Sequence, residues 1–414
     1  MFQKTFRLIV PALIISEFLT ACVATPRSVA PLSVNSRDYK ADKIESSLID
    51  LSNRAHQDFI KQGLLVNDPE LNNYLDRIGR QFMPPLPDQA EIHFYVIKDA
   101  SINAMAFPNG NIYVNIGLIT KLQSEDQLAL VLAHETVHFV QRHSYKGQLD
   151  RQNSTVAAHV TDLLLFGTGL AYIPYALDIV SFSRDQEKEA DIRGLEYLGN
   201  TDYNLENSIE IFGLLGETKH RDSGSAWDNH PDLVSRKEYS RQKIAELIKP
   251  QNQQPPLVQS YERIRIHVAD LNIQTRLLRQ QYELARDAID EEIRRQGDHA
   301  KWHAYRGDAL RGSAEHPEAA ARENAWLYKN PPNEKLTQSF QNQSKENFLK
   351  ADAEYQIALK MDKNFPSSYR GLGMIALQQD HKESAKNYLH QYLELEPTAK
   401  DRRYIEGIIN KLAQ

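Results

Sequence analysis

The sequence predicts an α+β chain, mainly helical, in which a domain with a small sheet is followed by an all-α repeat domain. Three observations carry that prediction. Two short runs rich in aromatic and β-branched residues, 92–97 and 112–116, sit among segments of helical period. The run His134-Glu135-Thr136-Val137-His138 lies inside an apolar helical pattern. Beyond residue 258 the chain is helical and repeats at a spacing of 34, as from Ala351 to Ala385. With 414 residues the chain exceeds the roughly 250–300 at which single cores stop growing, so at least two domains are expected. A net charge of -6 with interspersed signs gives no basic stripe, which excludes nucleic acid as the expected partner.

Residues 1–21 read as a leader. Lys4 and Arg7 form a positive start, Leu8 to Ile15 a short apolar stretch too short to span a bilayer, and Leu19-Thr20-Ala21-Cys22 ends it with small residues. Cys22 is the only cysteine, so an internal disulfide is impossible. Leu-Thr-Ala-Cys resembles the bacterial lipobox, which implies cleavage before Cys22, lipid on the new terminus, and an anchor on the periplasmic face of the cell envelope. The plain alternative is a conventional signal peptide that contains a Cys. Val23 after the Cys implies, by the same resemblance, the outer membrane. Residues 22–43, with Pro26, Pro31 and several Ser, then read as a tether.

The first globular domain is expected over 44–249. Residues 44–61 and 68–82 have the pattern of amphipathic helices, the second opened by Asp68 as N-cap with Pro69 at its first position. The runs 92–97 and 112–116 read as strands separated by the turn Pro108-Asn109-Gly110. Ser124 with Gln127 three residues on reads as a capping box that starts the helix of Leu128, Val131, Leu132, Val137 and Val140.

His134 and His138 stand at i and i+4 on that helix, so both imidazoles face one point with Glu135 beside it. Two ordinary histidines at this spacing are the bland alternative. A catalytic zinc needs a third protein ligand and keeps a fourth position for water. The candidate is downstream, where Ser183 begins another helix on which Glu187 and Asp191 share a face while Glu189 points elsewhere. Glu187 can ligate zinc, and Asp191 can accept the free N–H of a ligating imidazole. An acidic, solvated helix start is the competing reading there.

HETVH with Gln141-Arg142-His143-Ser144, the later Ser-Arg-x-x-Glu-x-Glu-Ala-Asp block, and Asn103-Ala104-Met105-Ala106-Phe107-Pro108-Asn109-Gly110 resemble the metallopeptidase family of the CAAX prenyl protease and HtpX, family forty-eight of the metallo class. The resemblance covers roughly residues 45–245 and implies a gluzincin-type zincin domain with one Zn2+ per chain. It implies His134, His138 and Glu187 as zinc ligands, Glu135 as general base, and Asp191 and Arg236 as supporting residues. His230-Pro231 before Arg236 resembles the family's His-Pro block, so His230 is expected to stabilise the oxyanion or to hold the fourth zinc position in a latent state. A surface histidine in a loop is the alternative. Asn103, Ala104, Met105 and Ala106 are expected to form the strand that receives an extended peptide. The spacing to His143 departs from a metzincin site, and His143 is expected to cap a helix end.

Val156 to Phe182 is strongly apolar, but its longest uncharged run, Leu163 to Leu177, is short of the ~20 residues a spanning helix needs. A buried or lid-like helical hairpin is expected. Residues 250–258 read as a linker, and 259–414 as a domain resembling tetratricopeptide repeats. Ala351, Tyr355, Ala358 and Met361 recur as Ala385, Leu389, Tyr392 and Leu395, with a polar insert at 330–345 and a cap at 404–412. Such arrays bind partner proteins on a concave face. The functional expectation is a lipid-anchored zinc endopeptidase acting on unfolded or misassembled envelope proteins in quality control. The competing expectation is a non-proteolytic, chaperone-like outer-membrane assembly factor working through the repeats.

Overall fold

A computed structural model of the chain describes residues 29–33, 39–153, 182–218, 233–247 and 258–413. The leader with Cys22, the apolar stretch 156–181, His230 and the linker up to residue 257 lie outside the described residues. The chain divides into a unit of residues 1–30 and a unit of residues 31–414, and every helix and strand described belongs to the second.

Helix α1, Lys43–Lys61, begins where the Asp42 carboxylate accepts the N–H groups of Ile44 and Glu45 at 2.9 and 3.0 Å. Helix α2, Pro69–Phe82, is capped the same way by Asp68. Strands β1 (His93–Ile97), β2 (Ala104–Ala106) and β3 (Asn111–Asn115) form one sheet in the order β1-β3-β2. The turn at 108–110 does not join the two runs that read as strands in the sequence. It closes a β2–β3 hairpin, with Phe107 N–H donating to Asn111 O, so β2 and β3 are antiparallel while β1 and β3 run parallel. Gly110 makes that turn possible: its φ is +85°, and a Cβ there would meet Glu91 O at 1.9 Å.

Alternation along the strands sorts side chains to two cores. Phe94, Val96, Ala104, Ala106, Ile112 and Val114 enter the main core with α2 and the long central helix α4. Ile97, Met105 and Tyr113 face Ala55 and Phe59 of α1. The sheet is thus sandwiched, and β2 is its edge beside α4.

Helices α3 (Ile116–Lys121), α4 (Glu125–Val140), α5 (His143–Asn153), α6 (Arg184–Leu198), α7 (Leu205–Ser208), α8 (Ile211–Thr218) and α9 (Leu233–Leu247) complete this region. Ser124 accepts the Gln127 N–H at 3.3 Å, but the Gln127 side chain accepts from the N–H of Gln123 instead of closing a capping box. A reciprocal capping box stands at the start of α6, between Ser183 and Gln186.

Helix α10, Val258–Leu278, is shared between this region and the helical one after it. Tyr261, Ile264 and Val268 are buried in the main core. Farther along, Asn272 donates to Thr120 Oγ1 at 3.1 Å and Arg276 to Ala100 O at 2.8 Å. Then come α11 (Tyr282–Gln296), α12 (Ala300–Glu315), α13 (Pro317–Leu327), α14 (Glu334–Met361), α15 (Pro366–Gln378), α16 (Lys382–Leu395) and α17 (Arg402–Leu412). Gly307 and Gly371 both abut the Tyr355 ring, so small residues on α12 and α15 let those helices close on α14. Met361, grouped with Tyr355 by the repeat spacing, is exposed. The polar insert at 330–345 is largely helical: α14 runs unbroken for 28 residues from its Asn333 cap, because 334–361 contains neither Pro nor Gly. No helix among the described residues is long and apolar enough to cross a membrane.

Candidate metal centre

Every residue of α4 is buried, polar ones included. A helix submerged on all sides must satisfy its polar side chains from neighbouring elements, and α4 does this at both ends. Near its C-terminal end His134 and His138, one turn apart, bring their Nε2 atoms to 3.0 Å. Helix α6 crosses here, and Gly194 is the reason it comes so close: a Cβ at Gly194 would stand 3.3 Å from His134 N. That approach delivers Glu187, whose Oε2 lies 3.5 Å from His134 Nε2 and whose Oε1 lies 3.5 Å from His138 Nε2. All three residues are buried, and their ligand atoms lie within 4.8 Å of one another.

The far nitrogens of the imidazoles are engaged. His134 Nδ1 is 2.9 Å from Asp191 Oδ1, and a carboxylate partner assigns the proton to Nδ1, leaving the Nε2 lone pair facing the centre. His138 Nδ1 is 2.9 Å from His143 Nδ1. Two ring nitrogens 3.0 Å apart beside a carboxylate make a site that a positive charge shared by the three would stabilise. The set of two imidazoles and one carboxylate fits a metal ion, and three protein ligands are the catalytic zinc pattern.

Electrostatics agree. Burial alone would lower the His134 pKa, yet Asp191 and Glu187 raise it to about 10, so the centre draws positive charge strongly. Burial works against ionised Asp191, but Arg236 and His134 hold its carboxyl below the ordinary range. Arg236, on α9, donates to Asp191 Oδ2 from Nε at 2.8 Å and to Oδ1 from Nη2 at 2.6 Å, and its Nη1 stands 3.6 Å from Glu187. Arg236 therefore clamps the two carboxylates. The bidentate pair fixes the guanidinium on Asp191.

Glu135 points into the same space. Burial pushes its pKa up to about 7; His134 opposes this and Glu187 adds to it, while the Ala106 N–H bonds the carboxylate. Its Oε2 has no hydrogen-bond partner among the described residues. The edge strand thus touches the carboxylate through Ala106, and Ala104, Met105 and Ala106 are all buried. Asn103 O accepts from Asn115 N–H, so the outward-facing backbone groups of the edge are those of Ala104 and Ala106. A cavity of about 100 Å³ opens beside it, bordered by Ala106, Phe107, His138, Phe139 and Arg142.

Four residues around the centre escape the sequence reading or depart from it. His143 does not cap a helix end. Its side chain lies between His138 and Glu189, at 2.9 and 3.4 Å, and burial with nearby Lys146 lowers its pKa to about 4. Glu189 turns away from the metal ligands themselves but reaches them through His143. Tyr239 donates its hydroxyl to Asp191; the available signal is its i+3 spacing from Arg236 on one helix face. Phe182 stacks on His138 with ring centroids 3.7 Å apart, which no spacing rule anticipates.

Comparison with known proteins bears on this assembly. The profile of peptidase family M48 matches residues 68–242. A Vibrio cholerae protein named for beta-barrel assembly enhancement is 33% identical over 166 residues, which are 37% of this chain and 34% of that protein. The beta-barrel assembly-enhancing protease of Escherichia coli is 33% identical over 147 residues, 32% of this chain and 30% of the relative. A mitochondrial metalloendopeptidase of Schizosaccharomyces pombe is 38% identical over 108 residues, 25% of this chain and 31% of the relative. The chain matches about a third of the length of these relatives. The matched residues hold both histidines, Glu135, Glu187, Asp191 and Arg236, so the likeness to peptidase family M48 falls on the residues of the centre.

Proposed function

We propose that the protein is a zinc-dependent metalloendopeptidase that hydrolyses peptide bonds of unfolded or misassembled envelope proteins. The observation that carries this reading is the convergence of His134, His138 and Glu187 on one point with the Glu135 carboxyl beside it. Zinc held by those three residues would act as a Lewis acid on the scissile carbonyl and acidify a water. The chain's own residues do the rest. Glu135, with its pKa at about 7 and Oε2 available, takes the proton of the attacking water and returns it to the leaving amine. Asp191, held by Arg236 and Tyr239, keeps His134 in the tautomer that presents Nε2. Ala104 and Ala106 offer edge-strand backbone groups to an extended peptide, a mode that selects unfolded segments over any one side-chain sequence.

The substrate class follows from the likeness to proteins named for beta-barrel assembly, together with the expected lipid on Cys22 and the expected binding of partner proteins by residues 259–414. His230 keeps the role that its likeness to the family's His-Pro block implies, oxyanion donor or latch. One observation favours the second reading, a non-proteolytic assembly factor with the site kept shut: His134, Glu135, His138, Glu187 and the edge strand are all buried, so substrate entry requires opening. Zinc content and casein cleavage by wild type and Glu135→Gln separate the two. The enzyme binds about one zinc and loses cleavage in the variant; equal cleavage in both sinks the mechanism. Absence of cleavage in either protein, with or without His230→Ala, supports the assembly factor.

A further inference from the structure

The two histidines of the centre are oriented by different chemistry. His134 leans on a carboxylate, Asp191, itself held by Arg236 and Tyr239. His138 leans on a second imidazole, His143, which is fully buried and whose other nitrogen lies 3.4 Å from Glu189 Oε2. Glu189 is in turn held by Arg193 at 2.7 Å. The backbone of His143 is fixed as well, because Gln186 Nε2 donates to its carbonyl at 3.2 Å. Helix α6 therefore serves the centre three times within 187–191. Glu187 faces both histidines, Asp191 orients one, and Glu189 reaches the other through His143.

An imidazole can accept or donate at Nδ1, so this chain of groups has a direction only if something fixes it. Glu189 does. As a carboxylate it accepts only, which places the His143 proton on Nε2 and leaves Nδ1 as an acceptor. His138 must then donate from Nδ1, and its Nε2 lone pair faces His134 and Glu187. With the His143 proton on Nδ1 instead, His138 would carry its own on Nε2, pointing into the centre and blocking ligation.

Resting on the metallopeptidase reading, we propose that His143 is a positioning residue: it relays the polarity of Glu189 to His138 and so holds His138 in the metal-binding tautomer. It touches no reacting atom. The Phe182 ring, stacked on His138 at 16°, limits ring tilt but cannot choose a tautomer, which leaves that task to His143.

The test is zinc affinity of the full chain, measured by competition with a chromophoric chelator, in wild type, His143→Ala, His143→Gln and Glu189→Gln. His143→Ala is expected to weaken zinc binding about 10–100-fold, the usual effect of removing a residue that orients a ligand. His143→Gln recovers most of the loss, because its carbonyl can accept the His138 N–H while its amide donates to Glu189. Glu189→Gln gives a smaller loss and reports on the relay even if His143→Ala does not fold. Nitrogen-15 imidazole spectra of the zinc-loaded wild type should show His143 as the Nε2–H tautomer. Wild-type affinity in His143→Ala overturns the proposal, as does an Nδ1–H tautomer. So do equal losses in the Ala and Gln variants that track the melting temperature of the metal-free proteins, the signature of packing alone. A wild type that binds no zinc would instead remove the metallopeptidase reading on which the proposal rests.

Discussion

Helix α4 carries a buried glutamate in each half, and the two behave oppositely. Glu125, in the first turn, has both oxygens saturated. Oε2 accepts from Tyr74 at 2.7 Å and Arg77 at 2.8 Å, and Oε1 from Arg77 at 3.1 Å and Tyr203 at 3.2 Å. Burial alone would raise its pKa, but Arg77 and the two tyrosines bring it below the ordinary value. Glu135, about three turns later, is as deeply buried, is bonded by one backbone N–H, and has its pKa pushed up to about 7. Residue type and helix are the same, and both side chains are shielded from solvent. Partner saturation makes one a clasp between α2, α4 and the segment after α6, and leaves the other poised to exchange a proton.

Glu135→Gln breaks the comparison with the largest effect. Peptidase activity is expected to fall by at least about 100-fold, the scale of a lost general base. Metal-free stability should move the other way. A carboxyl whose folded pKa is raised contributes stability below the unfolded value of 4.5, and that contribution disappears as pH rises through about 7. Above pH 7 metal-free Glu135→Gln should therefore exceed wild type in stability by up to about 3 kcal/mol, a tenfold change in proton affinity being worth about 1.4 kcal/mol, with the gap closing below pH 4.5. Denaturant melts of the chelated proteins on either side of that window, in mild acid and in mild base, measure both ends.

Glu125→Gln should show the reverse slope. A depressed folded pKa gives stability that is present above the unfolded value of 4.5 and lost as pH falls through the folded one. The variant should be about 1–3 kcal/mol less stable at neutral pH, the cost of leaving buried partners unmatched, and should converge on wild type in acid. Zinc affinity should stay unchanged. A loss of zinc binding in Glu125→Gln would mean that the two ends of α4 are coupled, and the contrast between clasp and centre would fail.

The centre is legible in the sequence, but its surroundings are not. His134, Glu135 and His138 are read from the HETVH spacing inside a helical pattern, Glu187 and Asp191 are candidates because they share one helix face, and the family resemblance supplies their roles. Both signals are local, so spacing carries them. The roles of Glu189 and His143 do not follow from spacing, because their pairing across 46 residues is set by how α6 packs against the end of α4, and Tyr239 offers only its i+3 spacing from Arg236. The sheet shows the same limit. The runs 92–97 and 112–116 are recognisable from composition and 103–106 from the family resemblance, but the pairing is not: the three-residue β2 takes the hairpin with β3 and leaves β1 parallel to it. In the helical region the small residues at Gly307 and Gly371 mark close packing, whereas the polar run at 330–345 hides a helix because period-based reading looks for an apolar face.

The smallest expected effect tests what brings the centre together. Gly194 is the residue that lets α6 approach α4 at His134, since a Cβ would stand 3.3 Å from His134 N and 3.5 Å from Ala133 C. Those atoms are backbone of a fully buried helix, so they cannot swing aside, and α6 itself must retreat by a few tenths of an ångström. Ala is otherwise the better helix former by about 1 kcal/mol, which offsets much of the strain. Gly194→Ala should therefore change stability by only about 1 kcal/mol or less, while withdrawing Glu187 and Asp191 slightly from the histidines. Glu125 belongs to a clasp that does not involve α6 and should not register the change. Chelator competition should show a few-fold loss of zinc affinity against a nearly unchanged melting temperature of the metal-free protein. If affinity and melting temperature fall together, Gly194 serves the fold as a whole, and the centre has no tolerance of its own to measure.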